Sequence, residues 1–153
     1  MSDDDLERNH AALHDLFTAD AFVAGIDARL TAWGGGWSRV ELSVDDRHAN
    51  FAGWLHGAAI FAVGDAAFAV ACNSWGRFAV ALSVDVHFLA SPPVADVLVA
   101  EARERHRTKR TGAYLIEVSH DDQLVASLHA LAHRTDRWLL GDDAWSDDWR
   151  TTH

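Results

Sequence analysis

Apolar residues run almost unbroken from Gly57 to Trp75, with a single charged side chain, Asp65, in their midst. A segment of that length is apolar on every side of a helical wheel, so it predicts a buried helix over residues 56–74. Around it the period changes. Residues 4 to 18 set Leu6, Leu13, Leu16 and Phe17 at near-helical spacing among polar residues, which predicts a short amphipathic helix. Alternating positions from Ala24 to Trp33 and from Trp37 to Val44, on either side of Gly34-Gly35-Gly36, predict a hairpin, and residues 45 to 55 a loop. After the long helix, Phe78–Leu89, Asp96–Arg107, Gly112–His120 and Gln123–Arg134 have strand character. Ser91-Pro92-Pro93, Thr108 to Thr111 and Asp121-Asp122 supply the breaks, read as short antiparallel connections. An Asp-rich tail from residue 136, carrying Trp138, Trp145 and Trp149, is expected to lie at the periphery of a single domain of residues 1–135, its tryptophans available to dock on a neighbouring surface.

The order of elements predicts an α+β fold in which one antiparallel sheet wraps around the long central helix. The sheet covers most of that helix, and a second copy of the same helix is the simplest cover for the rest, which predicts a two-fold dimer. At 153 residues and 49% hydrophobic, the chain suits one compact domain. Its single cysteine, Cys72, rules out an intrachain disulfide, and its acidic start and lack of a long unbroken apolar run give neither a signal peptide nor a membrane span; the expected location is the cytoplasm. The net charge of −10 disfavours nucleic-acid and anionic-membrane partners. One stretch opposes it. Residues Arg103 to Arg110 hold five of the 13 Lys and Arg residues, a local patch suited to a small anionic ligand or, more plainly, a solvated strand end.

Asp65 is the first candidate for chemistry, because a carboxylate in an apolar helix is costly unless it is paired, hydrogen-bonded or used. A helix beginning at His56-Gly57 presents free backbone N–H groups, and glycine there admits a close ligand; such an end suits a carbonyl that becomes an oxyanion. Gly57 and Asp65 lie about 12 Å apart along one helix, so they share a carbonyl only if two helices pack antiparallel across a dimer axis. Asp65 would then attack the carbonyl or act as general base toward water. Asn50 has the amide to orient that water or steady the carbonyl, and His56 can set the loop or donate at the site. The structural alternatives are a carboxylate bonded to nearby backbone for Asp65 and loop capping for Asn50 and His56. His129 and His133 lack the partners of a metal set, Cys72 reads as core, and neither a nucleophile elbow nor a phosphate loop is present.

Asn50, His56-Gly57, Ile60-Phe61, Asp65, Ala67-Phe68-Ala69 and Ala71-Cys72-Asn73-Ser74 closely resemble the PaaI-type acyl-coenzyme A thioesterases of the hotdog superfamily. Phe88-Leu89, Asp96-Val97-Leu98, Arg110-Thr111-Gly112 with Tyr114, and Val125-Ala126 extend the likeness over residues 10 to 134. Ala58 and Ala66 stand where the family often has glycine and threonine, and Ser91-Pro92 where it often has Arg-Pro. The resemblance implies a hotdog fold assembled as dimers or dimers of dimers. It also implies hydrolysis of an aryl or arylacetyl thioester, with Asp65 as nucleophile or base, the Gly57 N–H of the opposite subunit as oxyanion donor, and Asn50 and His56 lining the site. Phe61, Phe68 and Asn73 are then candidate substrate contacts, and Arg107, Lys109, Arg110, Thr111 and Gly112 candidate contacts to coenzyme A. Coenzyme A enters as part of the substrate; no metal or other cofactor is called for. Two rivals remain at this level: an enoyl-thioester hydratase using His56 as base, and a non-catalytic acyl-coenzyme A binding protein.

Overall fold

The computed structural model describes residues 4–94 and 96–153; Met1 to Asp3 and Ala95 lie outside them. Helix α1 spans Asp4–Thr18 and α2 Ala21–Gly25; strands β1, Ala28–Gly34, and β2, Trp37–Ser43, form the hairpin; the long helix α3 covers Gly57–Asn73. Strands β3, Arg77–Phe88, β4, Val97–Arg107, β5, Thr111–His120, and β6, Gln123–Trp138, follow, and α4, Asp147–Thr152, ends the chain. All neighbouring strands are antiparallel, in the order β1-β2-β4-β5-β6-β3.

Two expectations change here. Ala24 to Asp27 is not strand: Asp20 caps α2 by accepting from Val23 N–H, and Asp27 takes φ 61, a left-handed turn that delays β1 to Ala28. Nor does β3 pair with β4, as short successive connections implied. It pairs with β6 and forms one edge of the sheet.

The buried face of α3 carries Ile60, Val63, Ala67, Phe68 and Ala71, which pack with Val40 and Leu42 of β2, Leu98 and Ala100 of β4 and Ile116 of β5. The sheet wraps this helix because its inward positions recur every second residue on each strand while the helix is apolar over most of its girth.

The tail is not peripheral. Trp145 and Trp149 are 3% and 5% exposed and form a second core with Leu13 of α1, Trp33 of β1 and Val70 of α3. Trp145 Nε1 donates to Leu139 C=O at 2.7 Å and Trp149 Nε1 to Trp75 C=O at 3.1 Å, so both indoles are satisfied on burial. Gly76 makes the seat: it takes φ +81, and a Cβ there would lie 2.0 Å from the Trp145 ring.

Candidate active site

The loop before α3 is built by its own polar residues. Asp45 caps a 3-10 turn over Asp46–His48, and His48, buried, bonds Asp45 N–H through Nδ1 and the Ile26 carbonyl through Nε2. His48 C=O in turn accepts from His56 N–H at 2.8 Å, fixing where α3 begins. Between them Asn50 Oδ1 accepts from Ala52 N–H at 2.9 Å and Trp54 N–H at 3.1 Å, while its backbone N–H donates to Trp54 C=O at 2.7 Å. Asn50 therefore holds the loop through its oxygen, and its Nδ2 donates to no described residue.

His56 is the N-cap of α3, its Nδ1 accepting from Ala58 N–H at 3.0 Å. An accepting Nδ1 is unprotonated, which places the proton of the neutral ring on Nε2 and makes the exposed side of His56 a hydrogen-bond donor. Ala59 and Ile60 N–H donate to His56 C=O, whereas Gly57 N–H has no partner among the described residues. Gly57 is half-buried, and a Cβ on it would meet only the Phe88 ring, at 3.4 Å. The backbone donor at the head of α3 is thus open to a ligand.

Asp65 is half-buried in the middle of α3 and takes part in no hydrogen bond or ion pair with any described residue. Burial alone pushes its carboxyl above the ordinary carboxylate value. The structural alternative for Asp65, a bond to neighbouring backbone, is absent among the described residues. Within one chain Gly57 and Asp65 share α3, about 12 Å apart along its axis. Ala58 and Ala69 are exposed on the same side of the helix as Asp65. Beside this face lies an apolar cavity of about 620 Å3, walled by Leu16 and Phe17 of α1, Val23 of α2, and Ala66, Ala69 and Val70 of α3.

Several candidate contacts serve other purposes. Phe68, 2% exposed, packs on Tyr114 with ring centroids 5.4 Å apart, so it is a core residue and no ligand reaches it. Asn73 clamps the end of α3 to β3: Nδ2 donates to Ala69 and Ala79 C=O, and Oδ1 accepts from Ala79 N–H at 2.9 Å. Gly112 is buried under Tyr114, whose ring would meet a Cβ there at 2.7 Å. Thr111 closes the β4–β5 turn with Thr108, beside the exposed Lys109 and Arg110. Arg107 is turned inward, its guanidinium 4.3 Å over the Trp75 ring and 3.2 Å from Glu104. Phe61 remains at the helix surface, half-buried against the core. Cys72 is buried, and its thiol is pushed up to about 12 by that burial, which removes it as a nucleophile at neutral pH.

The residues that sequence reasoning passed over are Arg77, Arg134, Arg150 and His153, which meet around a basic pocket at the far end of α3. Arg134 carried a signal. Positions 126, 128, 130 and 132 of β6 point inward, and residue 134 continues that parity with an arginine where an apolar side chain is the rule.

The thioesterase superfamily model matches residues 52–127, from the Asn50 loop into β6. Acyl-coenzyme A thioesterase PaaI of Escherichia coli K12 is 32% identical to this chain over 130 residues, which are 84% of this chain and 93% of that one. The chain belongs to the thioesterase superfamily. The solved structure of E. coli PaaI superposes with a TM-score of 0.79 at 31% identity, over 84% of this chain and 94% of that one. A Streptococcus mutans protein solved with acetyl-CoA bound superposes with a TM-score of 0.68 at 26% identity, over 71% and 88%. The sheet wrapped around α3 is the hotdog fold of this superfamily, as the resemblance implied, and thioester hydrolysis is its class of chemistry. No helix among the described residues is long and apolar enough to cross a membrane.

Proposed function

We propose that this member of the thioesterase superfamily hydrolyses acyl-coenzyme A thioesters with an aryl or arylacetyl acyl group, and that its working unit is a dimer or a pair of dimers. The observation that carries the reading is Asp65: a half-buried carboxylate with no partner among the described residues, on the uncovered side of the central helix. A group so placed is free for chemistry, and desolvation makes it a stronger base than an exposed carboxylate.

The sheet edge supports a two-fold assembly. The outer edge of β3 is unpaired, and Val80, Leu82 and Leu131 are exposed around it, Leu82 at 58%. A second copy joined there would run its α3 antiparallel to the first and bring Gly57 of one chain toward Asp65 of the other. In that composite site the thioester carbonyl oxygen accepts from Gly57 N–H, which stabilises the oxyanion as it forms. Asp65 either adds to the carbonyl, giving an anhydride that water opens, or takes a proton from water as that water adds. In both routes the carbon–sulfur bond breaks and coenzyme A leaves as the thiolate. Asn50 Nδ2 and the Nε2–H of His56 are the remaining donors at the rim. The apolar cavity beside Ala66 and Ala69 suits an acyl group of aromatic size. Neither route calls for a metal or organic cofactor. Among the described residues the one group close enough to share an ion is Asp96, His120 and Asp121, where β4 begins and β5 ends.

The hydratase reading needs an unprotonated ring nitrogen facing the substrate, and His56 spends that lone pair on Ala58 N–H. Thiol release from aromatic and aliphatic acyl-coenzyme A thioesters, measured for wild type beside Asp65→Asn, tests the proposal. Hydrolysis that favours aryl substrates and falls about a hundredfold or more in the variant is expected. No turnover by folded wild type, or equal rates in the two proteins, overturns it.

A further inference from the structure

Past the C-terminus of α3 the chain closes a second pocket, of about 410 Å3, whose walls are the reverse of its overall charge. Arg77 opens β3, Arg107 ends β4, Lys109 sits in the β4–β5 turn, Arg134 lies near the end of β6, and Arg150 and His153 come from the C-terminal segment. Carboxylates hold three of these arginines. Asp136 holds Arg77 at 2.8 Å, Glu104 holds Arg107 at 3.2 Å, and Arg150 reaches Asp142 at 3.4 Å and also contacts Asp147. Arg134, 3% exposed, donates to Thr108 C=O at 2.6 Å and to the main-chain oxygen of the last residue, His153. Lys109 has no carboxylate partner among the described residues. Three nitrogens of the wall residues, Arg107 Nη1, Arg150 Nε and His153 Nδ1, are buried without an acceptor.

Buried N–H donors without acceptors are costly, and Arg107 Nη1 and Arg150 Nε are two of them. The crowding of cations shows at Arg134, whose own burial and the nearby Arg107 and Arg77 lower its pKa to about 10. Unsatisfied N–H donors among clustered cations in one concave site call for an oxyanion, and the planar guanidinium groups match the paired oxygens of a tetrahedral one. The volume exceeds what a bare anion fills and leaves room for a small organic group.

We propose that this pocket binds a phosphate monoester, held by Arg134, Arg107 and Lys109 and closed on its outer side by Arg150 and His153. It lies beyond Asn73, so about 12 Å of helix or more separates it from Asp65. Its occupancy is measured as binding, and so stands apart from the thioester chemistry. The phosphate has two possible carriers, the coenzyme of the thioester or a separate phosphorylated metabolite.

Calorimetric titration of the full chain at low salt, first with inorganic phosphate and then with coenzyme A and 3′-dephospho-coenzyme A, decides the matter. Saturable phosphate binding by wild type is expected, weakened about tenfold or more in both Arg107→Gln and Arg150→Ala, each with a wild-type melting profile, and unchanged in Asp65→Asn. A preference for coenzyme A over its dephospho form that Arg107→Gln erases identifies the coenzyme as carrier. Equal binding of the two coenzymes, with phosphate still bound, identifies a separate metabolite. No saturable phosphate binding by wild type, or affinities unchanged in both arginine variants, overturns the proposal.

Discussion

Around Gly57 and Asp65 the central helix leaves its polar groups unused, whereas from Asn73 to Gly76 almost every polar group is answered within the chain. At the second end Asn73 uses both its oxygen and its nitrogen on β3 and the helix itself, and Ser74 Oγ donates to Ala71 C=O while accepting from Gly36 N–H at 2.7 Å. Two indoles from the tail then cover the turn. At the first end Gly57 N–H and the Asp65 carboxylate have no described partner, and the side chains beside them are alanines. One regular helix, α3, joins the two stretches. The saturated stretch from Asn73 to Gly76 is scaffold, and the unpaired donors past it belong to the side chains of the basic pocket. The unsaturated one is arranged for groups the chain itself does not supply, from a substrate or a second copy.

The contrast breaks most severely in the tail. Trp149→Ala empties an indole from the second core and leaves Trp75 C=O without its donor, and a loss of about 3–5 kcal/mol is expected, read as a large fall in the thermal midpoint. Below that midpoint kcat/KM for thioester hydrolysis should stay near wild type. A stable Trp149→Ala protein would show that the tail only rests on the fold.

At the other end the effect should reverse, small on stability and larger on activity. Gly57→Ala places a methyl group at ordinary contact distance from Phe88, so the chain folds as before. The methyl group stands beside the Gly57 N–H, which has no partner among the described residues, and hydrolysis should fall about tenfold or more as the oxyanion is held off its donor. An unchanged rate would remove the Gly57 N–H from the site.

How much of this was legible in the sequence follows the same division. Hydrophobic period exposed α3, the hairpin and the four later strands, because each buries a face whose spacing reports its own backbone. The partners of β3 were not legible, since antiparallel alternation looks alike beside β4 or β6. Asp65 and Gly57 stood out because each breaks a strong local pattern. Phe68 and Asn73 look the same whether they meet a ligand or their own chain, and here Tyr114 and Ala79 occupy them. The tail misled most. Asp-rich spacing conceals tryptophans whose burial depends on Gly76 and α1, far away in sequence.

The finest test of the comparison is the pH dependence of stability at Asp65. Burial raises this carboxyl above its ordinary value, so over the interval between the two the folded chain holds a proton that the unfolded chain has released. Stability contributed at this site is therefore present at low pH and lost as pH rises through the raised value. Asp65→Asn does not titrate. Its thermal midpoint should match that of wild type where both side chains are neutral, rise above it as pH climbs, and hold a constant small lead at neutral pH, small because water still reaches the half-buried group. A lead of opposite sign would mean that the charged form is held by donors outside the single chain. The partner subunit is the source that the antiparallel packing of two α3 helices would provide, and dilution to monomers should then restore the sign that burial alone dictates.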